Sequence, residues 1–171
     1  MNLSSLNDVF VDQLADLYSA ENQLLKALPQ VANAATDPDL RKAFEHHLEE
    51  TRQHVTRLGT IFGELGIAPP AEECEAMKGL IAEGDEIVRS TGDPMAKDAA
   101  LIAAAQRIEH YEIAAYGTAR TLAGELDLGN AKSLLDQTLG EEGNADKTLT
   151  KIATGGLFST GVNREAVTGR T

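Results

Sequence analysis

The sequence has few aromatic residues and no tryptophan: of its 171 residues, four are Phe and three are Tyr. Val, Ile, Thr and aromatic residues rarely alternate with polar ones, which disfavours β-strands. No stretch approaches the roughly 20 continuous apolar residues of a membrane span. Leu and Ala supply most of the apolar residues instead, and this composition favours packed helices. The length suits a single domain with one core.

Cysteine and clusters of basic residues are scarce as well. Cys74 is the single cysteine, so no intrachain disulfide can form, and the acids around it would raise its pKa and make it an unreactive thiol. The first ten residues, MNLSSLNDVF, lack the positive start and apolar run of a secretory signal, so we expect a cytoplasmic protein. The net charge is −12, which disfavours nucleic acid and anionic membranes as direct partners.

Four long segments show helical periodicity. The first runs from Leu3 to Leu28, where Pro29 is expected to end or kink the helix. The other three are predicted over residues 38–65, 94–126 and from the DLGN motif to Ala153, and a shorter acidic helix over residues 71–90. Asp37 and Pro38 mark the start of the second helix. We expect residues 1–154 to form the domain, and residues 155–171, rich in Gly and Thr, to form a flexible C-terminal tail.

The lengths of the connections predict how the helices are joined. Short turns join the first helix to the second and the third to the fourth, which makes two antiparallel hairpins. Nearly thirty residues separate the second helix from the third. Since a helix of ~27 residues is about 40 Å long, this linker can cross the whole bundle. The sequence therefore predicts an all-α, ferritin-like four-helix bundle with an extra short helix in the long crossover.

Acids or histidines interrupt the apolar stripe of every long helix near its middle. Burying a carboxylate costs several kcal/mol unless it is paired or bound to a metal. No Lys or Arg occupies these stripes, so two divalent cations are the expected counter-charge. The interrupting residues are Glu21 on the first helix, Glu50 and His54 on the second, Glu112 on the third, and Glu142 and Asp146 on the fourth.

The two predicted hairpins carry these residues at a nearly constant offset. Glu112 follows Glu21 by 91 residues, and Glu142 follows Glu50 by 92. Asp146 likewise follows His54 by 92 residues. One hairpin therefore looks like a diverged copy of the other, and the pair predicts a two-fold pseudo-symmetric site for two like metal ions.

Four segments carry a resemblance to a known family. They are DQLADLYSAENQLLKALP, FEHHLEETRQHVTRLGTIFGELG, IEHYEIAAYGTAR and LDQTLGEEGNADKTLTKIA. Together they resemble the YciE/YciF family of bacterial ferritin-like stress proteins, from about Leu3 to Ala153. The resemblance implies a di-metal site whose ligands are Glu21, Glu50, His54, Glu112, Glu142 and Asp146, with Glu109 as an extra candidate.

Two features depart from the wider ferritin-like pattern. Its usual Glu-x-x-His spacing is replaced by Glu-x-x-x-His, and Asp146 stands where the second histidine would be. Both spacings keep the two residues on one helix face. A site so rich in oxygen suits two iron ions or manganese, and magnesium stays an alternative.

The resemblance implies a stress-response protein. For its activity we expect oxidation of Fe(II) with O2 or H2O2, and for its assembly a homodimer. Two alternatives are a subunit of an iron-storage cage and a non-enzymatic interaction protein with a structural metal site. The roles of two side chains stay open as well. Glu109 suits the surface as well as the site, and His47 is a candidate to support a ligand.

Overall fold

The computed structural model describes residues 3–156 and 159–168. Helices make up most of this part of the chain. They are α1 Leu6–Ala34, α2 Pro38–Glu64, α3 Glu75–Arg89, α4 Pro94–Glu125, α5 Gly129–Thr154 and α6 Val162–Thr168, and the two short strands are β1 Gly155–Gly156 and β2 Ser159–Thr160. Within the described residues, none of the helices combines the length and the apolar character that crossing a membrane requires.

Side-chain caps determine where the long helices begin. The Ser5 hydroxyl accepts the Asp8 N–H at 3.2 Å, and the Asp8 carboxylate accepts the Ser5 N–H at 2.9 Å. This reciprocal pair starts α1 at Leu6, three residues later than the periodicity predicts. Asp37 caps α2 as predicted, and Asp93 caps α4 by accepting the Ala96 N–H at 2.8 Å.

Pro29 lies inside α1, so the prediction that it ends the helix was wrong. The apolar stripe continues past it: Ala32 and Ala35 are 6% and 1% exposed and belong to the core. Burial of this last turn offsets the cost of placing proline within a helix, which is about 3 kcal/mol. The backbone N–H of Ala35 still donates to Val31 at 3.1 Å and closes the final turn.

The four long helices contact one another in a ring, in the order α1, α2, α5, α4. Their apolar side chains form two separate clusters. Phe10, early in α1, and Leu135, early in α5, belong to one cluster. Leu40, early in α2, and Leu101, early in α4, belong to the other. Helices α1 and α5 therefore run in one direction and α2 and α4 in the opposite one, so the segment from Leu65 to Asp93 has to cross the length of the core.

A buried carboxylate ties the first turn to the far end of the crossover. Asp98 on α4 is fully buried and accepts the backbone N–H groups of Thr36 at 3.0 Å and Asp37 at 2.6 Å. These two donors lie in the turn between α1 and α2, which helix hydrogen bonds leave unpaired. Asp98 therefore anchors the α1–α2 hairpin to the start of α4.

The crossover helix α3 begins at Glu75, later than the predicted start at residue 71. Cys74 precedes it, and the Cys74 backbone N–H donates to the Ser19 hydroxyl at 2.8 Å. The Cys74 sulfur accepts the Met77 N–H at 3.3 Å. Burial raises the pKa of this thiol, in agreement with an unreactive role.

The described part of the C-terminal segment forms secondary structure within the residues that we expected to form a tail. Strands β1 and β2 pair in antiparallel fashion, and α6 follows and contacts α4 and α5. Val162 is 3% exposed and packs in the same cluster as Leu101. The Val162 side chain packs this segment against the bundle, and composition alone does not reveal that contact. Residues 157, 158 and 169–171 of the expected tail lie outside the described part.

Candidate metal centre

Six buried side chains meet between the two apolar clusters, and every long helix contributes at least one. Four of them are fully buried, whereas His47 and Glu109 are 5% and 3% exposed. We call this set the inner cluster: Glu21, His47, His54, Glu109, Glu112 and Glu142.

The inner cluster divides into two groups of side chains that share Glu142. One group contains His47, Glu109, Glu112 and Glu142, and the other contains Glu21, His54 and Glu142. Within each group, one ligand atom per residue lies within 4.8 Å of all the others. Glu142 belongs to both groups because its Oε1 faces His54 and its Oε2 faces His47.

The distances around His54 fit ligands of a single ion. Its Nδ1 lies 3.2 Å from Oε1 of Glu21 and 3.0 Å from Oε1 of Glu142. Ligand atoms that are about 2.1 Å from one ion lie roughly 3.0–3.4 Å from each other. The second group is wider: Nε2 of His47 lies 3.6 Å from Glu109 and 3.8 Å from Glu142.

The inner cluster also contains atoms that nothing in the described chain satisfies. Nine buried side-chain nitrogen and oxygen atoms of the described residues lack a hydrogen-bond partner, and all nine belong to these six residues. Both oxygens of Glu112 and both of Glu142 are among them. Since an unpaired buried polar group costs about 1–3 kcal/mol, so many in one place fit a site built to bind cations.

The net charge of the inner cluster also fits a site that binds cations. Four ionised glutamates and two neutral histidines carry a charge of −4, which two divalent ions would neutralise. When no metal ion is bound, protons must reduce this negative charge instead. Burial raises the pKa values of Glu109 and Glu112 well above the usual range, so these carboxyl groups keep their protons to higher pH than exposed glutamates do.

The two histidines balance the remaining negative charge. Burial alone would lower the pKa of His47, but Glu109, Glu50 and Glu142 outweigh it and raise the pKa to about 9. Burial likewise opposes charge on His54, yet Glu142 and Glu21 raise its pKa to about 10. Burial alone would raise the pKa of Glu142, and the two positive imidazoles instead lower it. A metal ion entering the cluster must therefore displace protons.

A chain of polar side chains orients the His54 ring from outside. Nε2 of His54 lies 2.9 Å from Oε2 of Glu141, and Arg57 forms a two-pronged ion pair with the same carboxylate. Nε2 therefore carries a proton in either charge state of the ring, and Nδ1, which faces Glu21 and Glu142, is the nitrogen that would bind a metal once its own proton is lost. A histidine that binds a metal commonly donates its second N–H to a carboxylate in this way.

Tyr116 supports the same group from α4. Its side chain is fully buried, and its hydroxyl donates to Oε1 of Glu21. The Tyr116 ring also packs edge-on near the His54 ring, with centroids 6.2 Å apart. Tyr116 thereby satisfies one oxygen of Glu21 and leaves Oε2 unpaired within the inner cluster.

Of the seven residues predicted as ligands, the structure brings together Glu21, His54, Glu109, Glu112 and Glu142. Glu50 and Asp146 lie outside both groups, and their side chains are 22% and 21% exposed. Glu50 faces Nδ1 of His47 at 3.7 Å and the exposed His46 at 3.3 Å. Asp146 accepts a hydrogen bond from Gln106 at 2.9 Å.

Helix phase explains why Glu50 lies outside and His47 inside. At about 100° per residue, His47 lies within about 20° of His54 around the α2 axis, whereas Glu50 lies about 40° away on the other side. On α5, Leu135 and Leu149 lie within about 20° of Glu142, but Asp146 lies about 40° away. These angles place both acids at the edge of the buried face.

Three residues that contact or orient the ligands were not predicted from the sequence as ligands or as supporting residues. They are Glu141, Arg57 and Tyr116, and His47 was considered only as a supporting residue. His47 was detectable, because it lies two turns before His54 on the same stripe. Arg57 and Glu141 come from different helices, so only their contact in the fold reveals the pair.

Comparisons with known proteins place this geometry in context. A sequence profile described as a domain of unknown function, DUF892, matches residues 5–166. Protein YciF of Escherichia coli strain K12 is 46% identical over 154 residues, which cover 90% of this chain and 93% of YciF. The crystal structure of that stress protein matches with a TM-score of 0.85 and 45% identity, covering 87% of this chain and 94% of the other.

Two further solved structures are similar. YcfI from Rhodopseudomonas palustris, described as a proposed structural protein, matches with a TM-score of 0.85 and 39% identity over 89% of this chain and 97% of its own. A protein of Anabaena variabilis with DJ-1/ThiJ/PfpI-like and ferritin-like domains matches at 14% identity with a TM-score of 0.55, over 92% of this chain and 40% of its own. That identity supports the fold alone, which is helical and ferritin-like.

Proposed function

This chain belongs to the DUF892 family and is a relative of the stress protein YciF, and we propose that it is a di-iron protein. The two iron ions would lie in a ferritin-like four-helix bundle, where the protein would promote oxidation of Fe(II) by O2 or H2O2. The observation that carries this proposal is the pair of buried ligand groups that share Glu142. In this proposal, His47, Glu109 and Glu112 would hold one ion, Glu21 and His54 would hold the other, and Glu142 would contribute to both.

The donor set supports iron or manganese. Four carboxylates and two imidazoles provide hard oxygen ligands together with borderline nitrogen ligands, and no thiolate is among them. Cys74 belongs to neither ligand group, so a soft-metal site is disfavoured. Two neighbouring Fe(II) ions supply two electrons together, which is the chemistry that reduction of peroxide or dioxygen requires.

The chain itself performs three tasks in this scheme. Glu141, held by Arg57, keeps the proton of His54 on Nε2 and leaves Nδ1 free to bind. The apolar clusters on either side of the inner cluster exclude bulk water. His47, His54, Glu109 and Glu112 release their protons when the ions bind, so that charge in the core stays balanced.

The test is stopped-flow absorbance after anaerobic Fe(II)-loaded protein is mixed with O2 or H2O2. Wild type should oxidise iron faster than buffer does. His54→Ala should slow this reaction strongly, because His54 is fully buried against Glu21 and Glu142. The matched control is His46→Ala, on the same helix but with a side chain 75% exposed, and it should behave like wild type. Oxidation no faster than in buffer would refute the catalytic part of the proposal.

A structural metal site is the second candidate, and two observations favour it. The inner cluster is almost completely buried, and the similar protein YcfI is described as structural. In that case the ions should raise the melting temperature but should not be oxidised faster than in buffer. Measuring both properties on one preparation therefore separates the two functions.

A further inference from the structure

An apolar cavity of about 40 Å³ leads from the underside of α3 to the inner cluster. Its walls are aliphatic and aromatic side chains of α1, α2 and α4, such as Leu28, Phe44 and Leu101. His47 and Glu109 line its inner end. The cavity therefore connects the crossover helix to the group of ligands that contains His47.

Helix α3 forms the outer wall of this cavity through Ile81, Gly84 and Asp85. Ile81 and Asp85 are partly exposed, whereas Gly84 is buried. A β-carbon added at Gly84 would meet no atom within 4 Å. The space beneath this glycine is therefore free.

A second cavity of about 80 Å³ approaches the same two residues, His47 and Glu109, from another side. Its lining combines apolar residues with more polar ones than the first cavity has, among them His46, Glu50 and Thr148. Cations and peroxide find hydrogen-bonding or charged partners along this route. The two approaches to one half of the inner cluster thus differ in chemical character.

We propose that the apolar cavity beneath α3 is the site and access route of dioxygen, and that α3 is its cover. This inference rests on the proposed oxidation of iron. The volume exceeds the ~10–15 Å³ that one water requires, and it suits a molecule of two heavy atoms. Dioxygen makes no hydrogen bonds that the apolar walls would leave unpaired, whereas peroxide does.

The route would serve the two-electron reduction of dioxygen to hydrogen peroxide. One dioxygen molecule accepts two electrons from two Fe(II) ions and two protons from water. The products are one molecule of hydrogen peroxide, two Fe(III) ions and two hydroxide ions. The cavity brings the oxidant to His47 and Glu109, which are ligands in the proposed site.

The test fills the cavity from α3 without changing a ligand. In Gly84→Leu the new side chain occupies the space beneath α3. The matched control is Gly79→Leu, on the exposed side of the same helix, where an added β-carbon also meets nothing within 4 Å. Both variants replace a helical glycine with leucine, so the gain in helix propensity is the same. Gly84→Ala and Gly84→Val complete a graded series in case leucine is too large to fold.

Two measurements decide the outcome. Xenon, which enters dry apolar cavities, should bind metal-free wild type and Gly79→Leu but not Gly84→Leu in ¹²⁹Xe NMR. Oxidation of bound Fe(II) by dioxygen should slow severalfold along the Gly84 series, while oxidation by peroxide and the number of bound ions stay unchanged.

Three results would overturn the inference. If the Gly84 variants exclude xenon but react with dioxygen as fast as Gly79→Leu, the route is wrong while the proposed function stands. If wild type does not bind xenon, the cavity is not an apolar site. If wild type binds iron but dioxygen oxidises it no faster than in buffer, the dioxygen-dependent function fails and the route fails with it.

Discussion

His54 and Glu141 form a hydrogen bond between α2 and α5, with Nε2 of the ring 2.9 Å from Oε2 of the carboxylate. Arg57, one turn after His54 on α2, donates to both oxygens of Glu141. Although partial burial favours protonation of Glu141, Arg57 and His54 lower its pKa, so the carboxylate stays ionised. A positive charge outside the core thereby determines which ring nitrogen of His54 faces the inner cluster.

We therefore expect Arg57→Leu and Glu141→Ala to weaken metal binding by about 10- to 100-fold, which is typical when a partner of a ligand is removed. Isothermal titration with Mn(II) or anaerobic Fe(II) measures the affinity. Arg52→Leu is the matched control, because Arg52 is an exposed arginine on α2 that pairs with Glu49. Equal affinities in all three variants would show that the His54 ring is oriented by other contacts.

The second prediction concerns the number of ions. Glu142 belongs to both ligand groups, so Glu142→Ala should reduce the content from about two ions per chain to well below one. Glu50→Ala and Asp146→Ala should retain close to two, since both acids lie outside the groups. Elemental analysis after loading and desalting measures this. Loss of ions in Glu50→Ala or Asp146→Ala would restore the ligand set that the sequence predicted.

The third prediction concerns the stability of metal-free protein against pH. His47 and His54 have folded pKa values of about 9 and about 10 against 6.5 for the unfolded residue. Their contribution to the free energy of unfolding is full below about pH 6.5 and is lost as the pH rises through about 9 to 10. Glu109 and Glu112, whose pKa values are raised above 4.5, change stability in the same direction, because the folded protein holds protons that the unfolded chain releases.

Urea denaturation with a chelator present should thus show stability falling between about pH 6.5 and about pH 9. Glu109→Gln should make this slope shallower, whereas His46→Ala, at an exposed position, should not. In the presence of metal the fall should be smaller, because the ions replace the protons. A metal-free protein whose stability rises over this range would contradict the charge state that we assign to the inner cluster.

The fourth prediction tests the anchor between α4 and the first hairpin. Asp98→Ala removes the acceptor of the Thr36 and Asp37 N–H groups and should lower the free energy of unfolding by about 2–4 kcal/mol. Asp98→Asn keeps one acceptor oxygen and should cost less. The control is Asp93→Ala, which removes an exposed helix cap and should cost about 1 kcal/mol. Thermal melting distinguishes these values, and equal losses at both positions would argue against the anchor.

Much of the fold was predictable because it depends on local patterns. Side chains separated by three or four residues share one helix face wherever the helix packs. The stripe positions of Glu21, His54, Glu112 and Glu142 therefore predicted four buried polar residues, and all four are fully buried. The cap of α2 was also readable from one motif, and the long crossover from the length of the linker. The resemblance to the YciE/YciF family, which depends only on sequence, was confirmed as well.

The tertiary structure decided what periodicity leaves open. Residues at the edge of a helix face turn inward or outward according to the neighbouring helix, and the fold left Glu50 outside both ligand groups. Contacts between distant segments had no local signal, and these include Arg57 with Glu141, Asp98 with the first turn, and Val162 with the core. The sequence by itself determined which helix faces are buried and that their polar residues need a counter-charge. Only the packing of four helices determined which ligand atoms lie within reach of one ion, because that depends on distances between chain segments.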